Sequence, residues 1–169
     1  MKKLLLALIG VLILSGCASS SQVNSEFSPT DIAFAEMMIP HHEQAIEMSE
    51  LALMNSTNPE VLELAQEIKS AQAPEIELMA SWSGVKSSTH AGHTMDGMLS
   101  EDELNALRAA TGAEFDRLFL QGMIKHHQGA IEMAMDVKNS NSMVVADLSA
   151  AIIKQQEIEI TRMEELLLK

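Results

Sequence analysis

Residues 38 to 48 read MIPHHEQAIEM, and the same motif returns 85 positions later as MIKHHQGAIEM at 123 to 133. Phe34, Met38, Ile39, His41, His42, Ala45, Ile46, Glu47 and Met48 reappear as Phe119, Met123, Ile124, His126, His127, Ala130, Ile131, Glu132 and Met133. After a one-residue slip, Ile68, Gln72, Glu75, Ile76 and Met79 recur as Ile152, Gln156, Glu159, Ile160 and Met163. Shared helical patterning alone would copy apolar positions, but here a polar His-His pair is copied as well. Two copies of a helical hairpin bury their apolar faces most simply as an antiparallel, all-α four-helix bundle with a pseudo-twofold axis.

Helix boundaries follow from local chemistry. Aromatics make up 3% of the chain and tyrosine is absent, which disfavours strands. Ser28-Pro29-Thr30-Asp31 offers a capping serine, a proline at the first helical position and an acid three residues on, with Phe27 and Ile32 placed as a staple. This predicts a helix from Pro29 to about Met54. Asn58-Pro59-Glu60 starts a second, with Val61, Leu64, Ala65, Ile68, Gln72, Ile76 and Met79 on its inner stripe. Residues 82–100 read as a loop. Ser100-x-x-Glu103 and Thr111-x-x-Glu114 resemble capping boxes, predicting a short helix and then a long one through about Lys138. The Asn-Ser-Asn-Ser run at 139–142 turns the chain into a last helix that ends near Lys169. The bundle thus spans 28–169, with hairpins over 28–81 and 100–169.

At helical spacing, Phe34, Met37, Met38, His41, Ala45 and Met48 share one stripe, flanked by His42 and Ile46, while Glu36, Glu43, Glu47 and Glu50 face away. His126 and His127 are placed identically on their own helix. Gln72, Glu75, Gln156 and Glu159 interrupt the apolar stripes of the partner helices. Buried polar groups need partners, so these amides and carboxylates are expected to hydrogen-bond the histidines. A satisfied polar core is therefore one reading of the pairs. The other is a metal site, and the central loop HAGHTMDGM adds His90, His93, Met95 and Met98 to the donor supply. Thioether with imidazole selects copper, Cu(I) above Cu(II), over magnesium, calcium or zinc. An ordinary imidazole protonates near pH ~6.5, so copper binding is expected to weaken toward pH ~5.

Other chemistries have little support. The single cysteine, Cys17, is not available as a nucleophile, and there is no glycine-rich phosphate loop. A ferritin-type di-iron centre needs Glu-x-x-His, and Met38 and Met123 stand where the glutamates would be. No enzymatic turnover is expected.

The compartment is legible at the amino terminus. Lys2 and Lys3 precede an apolar run from Leu4 to Leu14, a signal peptide over 1–16 that is too short for a membrane anchor. Leu14-Ser15-Gly16-Cys17 resembles the bacterial lipobox, which implies a lipidated Cys17, a tether over 17–27 and attachment to the membrane through lipid only. With Ala18 after the cysteine, that resemblance implies the outer membrane, facing the periplasm, in a Gram-negative cell. Losing Lys2 and Lys3 from 11 basic residues leaves nine against 24 acidic ones, which disfavours nucleic acid as a partner.

The halves FAEMMIPHHEQAIEMSELAL and GAEFDRLFLQGMIKHHQGAIEMA, with QEIKSAQAPEIELMASW between them, resemble the bacterial family called domain of unknown function 305. That resemblance covers residues 30 to 168. It implies a ferritin-like bundle and a cell-envelope copper-binding protein linked to copper resistance, which sequesters copper or hands it on to a copper-exporting partner; association as a homo-oligomer stays open. By position it implies Met38, His41, His42, Met123, His126 and His127 as motif donors, with His90, His93, Met95 and Met98 as loop ligands. The alternative is a structural or partner-binding envelope lipoprotein whose histidines are core polar pairs. Pro40 and Pro74 depart from the family pattern, and each is able to kink its helix.

Overall fold

The computed structural model describes residues 26–86 and 95–169. The signal peptide, Cys17 and most of the tether lie outside the described residues, as do His90 and His93. Five helices follow in order: α1 (Pro29–Asn55), α2 (Pro59–Ala80), α3 (Glu101–Ala109), α4 (Gly112–Val137) and α5 (Met143–Leu167). No strand occurs among the described residues. The long helices α1, α2, α4 and α5 form the bundle. Its hairpins are α1 with α2 and α4 with α5, and they meet mainly through α1 against α4.

The ends of the helices show the capping chemistry directly. Ser28 accepts from the Asp31 backbone N–H while the Asp31 carboxylate accepts from the Ser28 N–H at 2.7 Å. Ser100 and Glu103 repeat that reciprocal box at α3. Asn58 caps α2 through the Glu60 N–H at 3.0 Å. The expected box at Thr111 is not formed: its side chain makes no cap hydrogen bond, and Glu114 instead grips Arg117 through both carboxylate oxygens. The exposed ion pair with Arg117, one turn on from Glu114, has taken the carboxylate that the box required. Ser100→Ala should therefore cost about 1 kcal/mol and Thr111→Ala close to nothing, read as shifts in urea midpoint. Equal losses at the two positions would contradict the difference in capping.

Phe27 stacks on Trp82, with ring centroids 4.9 Å apart, and Ile32 packs against the same cluster. Both α1 and α2 run unbroken through Pro40 and Pro74. Met37 and Ile46, expected on the buried stripe or its flank, are only half-buried.

Two apolar clusters divide the bundle along its length. One holds Met48, Leu64, Ile68, Phe115, Phe119, Met123 and Met163. The other holds Phe34, Met38, Ile39, Met79, Trp82, Val145 and Ile152. Every long helix contributes to both, and between its two contributions each carries buried polar residues: His41 and His42 on α1, Gln72 on α2, His126 and His127 on α4, Gln156 and Glu159 on α5. The duplication therefore produces a polar belt at mid-height. Met38 lies on one side of it and Met123 on the other, both fully buried.

Candidate metal centre

All four belt histidines are completely buried. The His41 and His126 rings, one from each hairpin, are in tilted contact with centroids 3.7 Å apart and planes inclined at 38°. This contact brings the two copies of the motif together at the pseudo-twofold axis. The second histidine of each pair turns toward its own hairpin partner. His42 Nε2 is 2.8 Å from Glu75 Oε2, and His127 Nε2 is 2.7 Å from Glu159 Oε2. Glu159 is further held by Gln155, whose Nε2 donates to its other oxygen at 3.0 Å. The copies are not equally closed, since the Glu75 side chain is 20% exposed and that of Glu159 only 4%.

Of the four expected hydrogen-bonding partners, the two carboxylates are in place and the two amides are not. Gln72 is buried with neither amide atom partnered, and Gln156 Oε1 is also without a partner. The carboxylates lie three residues further along their helices, nearly one turn, and they reach the outer histidine of each pair, leaving the Gln72 amide and the Gln156 oxygen unpartnered. Among the described residues, the unpartnered buried atoms also include both nitrogens of His126 and Nδ1 of His41, His42 and His127. Such a concentration is unusual in a native core, where nearly all buried polar atoms are satisfied. In chemical type, unpartnered imidazole nitrogens with buried thioethers on either side of the belt are the donors that a borderline or soft metal ion takes.

Electrostatics disfavour protonation of three of the belt rings. Burial pushes His41 down to about 3, helped by the proximity of His42 and resisted by its hydrogen bond to the Asp96 carbonyl. Burial, followed by the neighbouring His41, His127 and His42, holds His126 well below the ordinary range. His127 is lowered by burial, against the raising effect of Glu159. Proton competition toward pH ~5 is what an ordinary imidazole shows. For these three buried rings the structure moves that competition to lower pH.

A feature that the sequence reading missed is the strap formed by residues 95–99. His41 Nε2 lies 3.3 Å from the Asp96 carbonyl oxygen. Gln44 clamps Leu99 from both sides, donating to its carbonyl at 3.0 Å and accepting from its N–H at 2.8 Å. On α4 the strap rests against Gly129, where an added Cβ would come 2.1 Å from the Asp96 oxygen. Gly97 reciprocates with a φ of +85° that suits glycine, its own hypothetical Cβ 2.8 Å from the Lys125 carbonyl oxygen. Gln44 and Gly129 occupy the same position in the two copies of the motif. That difference, one of three between the motif copies, is the available signal: one copy supplies the clamp and the other the space. Met95 and Met98, on the strap, are half-buried. Among the described residues no group of three or more His, Cys, Asp or Glu side chains is arranged to hold a metal ion.

Solved structures share this architecture. A DUF305 protein of Streptomyces coelicolor, described as secreted, superposes with a TM-score of 0.76 at 30% identity, covering 82% of this chain and 92% of that one. CopM in its Cu(II)-bound form aligns with a TM-score of 0.71 at 37% identity, over 82% of this chain and 95% of CopM. Its Cu(I)-bound form aligns at 0.65 and 34%, over 80% and 94%. No curated protein matches the chain by sequence. The model of the family described as domain of unknown function (DUF305) matches residues 31–167, and the chain belongs to that family.

Proposed function

We propose that this is a cell-envelope copper-binding lipoprotein that sequesters copper or hands it on, without turnover of its own. The observation that carries the reading is the belt of four buried imidazoles with unpartnered nitrogens, in a fold shared with a protein whose structures hold Cu(II) and Cu(I). His41, His42, His126 and His127, with Met38 and Met123 beside them, supply donors inside the bundle. His90, His93, Met95 and Met98 are the second set, with Cu(I) favoured where thioethers take part.

The test is copper per protein by elemental analysis after dialysis, with zinc as competitor and helicity checked by circular dichroism. His126→Asn with His127→Asn should lower bound copper at neutral pH, and replacing the four loop residues should remove a separable class of sites. Wild-type copper in every folded variant would overturn the reading, as would no copper in the wild type.

A second reading has its own observation. Nε2 of His42 and Nε2 of His127 each already hydrogen-bond a carboxylate, as the members of a structural polar layer would. In that case the belt fixes the register of the four helices and copper content stays at background.

No helix among the described residues is long and apolar enough to cross a membrane. Attachment is proposed to run through lipid on Cys17, whose acyl chains contribute about 0.8 kcal/mol per buried CH₂. Cys17→Ser should move the protein from the membrane fraction to the soluble one. Unchanged sedimentation with membranes would count against lipidation.

A further inference from the structure

Three of the four belt imidazoles have one ring nitrogen committed to an oxygen acceptor. His41 Nε2 faces the Asp96 carbonyl, which can only accept a hydrogen bond. His42 and His127 direct Nε2 at the Glu75 and Glu159 carboxylates, which when ionised are acceptors only. In each contact the hydrogen therefore sits on Nε2. A neutral imidazole carries a single N–H, so Nδ1 of all three rings presents a lone pair. Those three Nδ1 atoms are buried and have no hydrogen-bond partner. One such orphan could be an accident of packing, but the same nitrogen is left open on three rings from two helices.

We propose that Glu75, Glu159 and the Asp96 carbonyl are positioning groups that hold His42, His127 and His41 in the Nε2–H tautomer, so that Nδ1 of each is the nitrogen offered to a metal ion. A ring nitrogen that donates to an acceptor fixes the tautomer and raises the basicity of the other nitrogen, which is how histidine ligands are commonly oriented. His126 is different, since neither of its nitrogens meets an acceptor in good hydrogen-bond geometry. Glu75 and Glu159 are repeats of one ancestral position, so both halves carry the same device. The metal step rests on the copper-binding reading; the tautomer is a property of the metal-free chain.

The experiment is a long-range ¹H–¹⁵N correlation spectrum of histidine-labelled, metal-free protein at about pH 8, above the ordinary histidine range. His41, His42 and His127 should each show Nε2–H with an unprotonated Nδ1. Nδ1–H signals for His42 or His127 would overturn the proposal whatever the protein binds. Ag(I), a spectroscopically silent stand-in for Cu(I), should then shift the Nδ1 resonances, and a response at Nε2 instead would overturn it. Glu159→Gln, whose amide can donate or accept, should remove the single-tautomer signature of His127 and weaken Ag(I) binding about 10- to 100-fold. Should that variant not fold, Glu75→Gln, on the more open side, makes the same test on His42. A folded variant that keeps both the tautomer and full affinity would refute the positioning role. Absence of any Ag(I) or Cu(I) binding would remove the donor assignment together with the copper reading, whereas an Nδ1–H spectrum removes the donor assignment alone.

Discussion

Metal-free protein should lose about 2 kcal/mol of stability between pH 7 and pH 5 from His41 alone, with His126 and His127 adding losses of the same sign. In the unfolded chain each imidazole titrates near ~6.5. In the fold His41 is pushed down to about 3 by burial, and His126 and His127 are lowered for the same first reason. Below pH ~6.5 the unfolded chain takes up protons that the native chain does not, so acid favours unfolding. The stability is fully present above the unfolded value and is lost progressively as the pH falls through the window down to about 3, where His41 alone would account for roughly 4–5 kcal/mol. The carboxylates with lowered values, Asp31, Glu103 and Glu114, lose their contribution in a window lower than that in which the histidines begin to lose theirs. A slope between pH 7 and pH 5 therefore reports on histidine. Urea midpoints measured in the presence of chelator at several pH values provide the reading, and His41→Gln should flatten it. A wild type with a constant midpoint across that range would show that the belt is open to water.

Phe34→Ala and Phe119→Ala should each cost about 3–5 kcal/mol, and the double variant should lose nearly the sum. The two phenylalanines are copies of one position, yet they are buried in different apolar clusters on opposite sides of the belt. Phe119 stacks against Phe115 with centroids 6.0 Å apart, and Phe34 against Trp82 at 6.5 Å. Neither hole can be filled from the other cluster, because the histidine layer intervenes. A combined loss of roughly 6–10 kcal/mol is comparable to the whole stability of an ordinary domain, so the double variant should lack a cooperative urea transition. Circular dichroism against urea checks this. A double variant about as stable as either single one would mean that the two clusters relax as one core and that the belt does not partition it.

The internal repeat, the four long helices and most of their ends are written in the sequence because they depend on near neighbours. Ser28 with Asp31, Asn58 before Pro59 and Ser100 with Glu103 act within one turn of chain, and the structure shows each of them capping. Thr111 fails by the same logic: Glu114 had a competing cation at Arg117, one turn on, and pattern alone could not rank the two partners. The burial of the histidine pairs also follows from spacing, since only one face of each helix can turn inward. What they meet there depends on tertiary structure. That His41 meets His126 while His42 and His127 turn outward to carboxylates depends on how the two hairpins dock. In the sequence the segment over 95–99 carries only the signals of a loop, because its seat combines Gln44 of α1 with Gly129 of α4, residues 85 apart that touch the same short segment. Periodicity determined which side chains leave water; the packing of one hairpin on the other decided which ring nitrogens found partners and which were left unpaired, and that is a sum over distant contacts that no local pattern encodes.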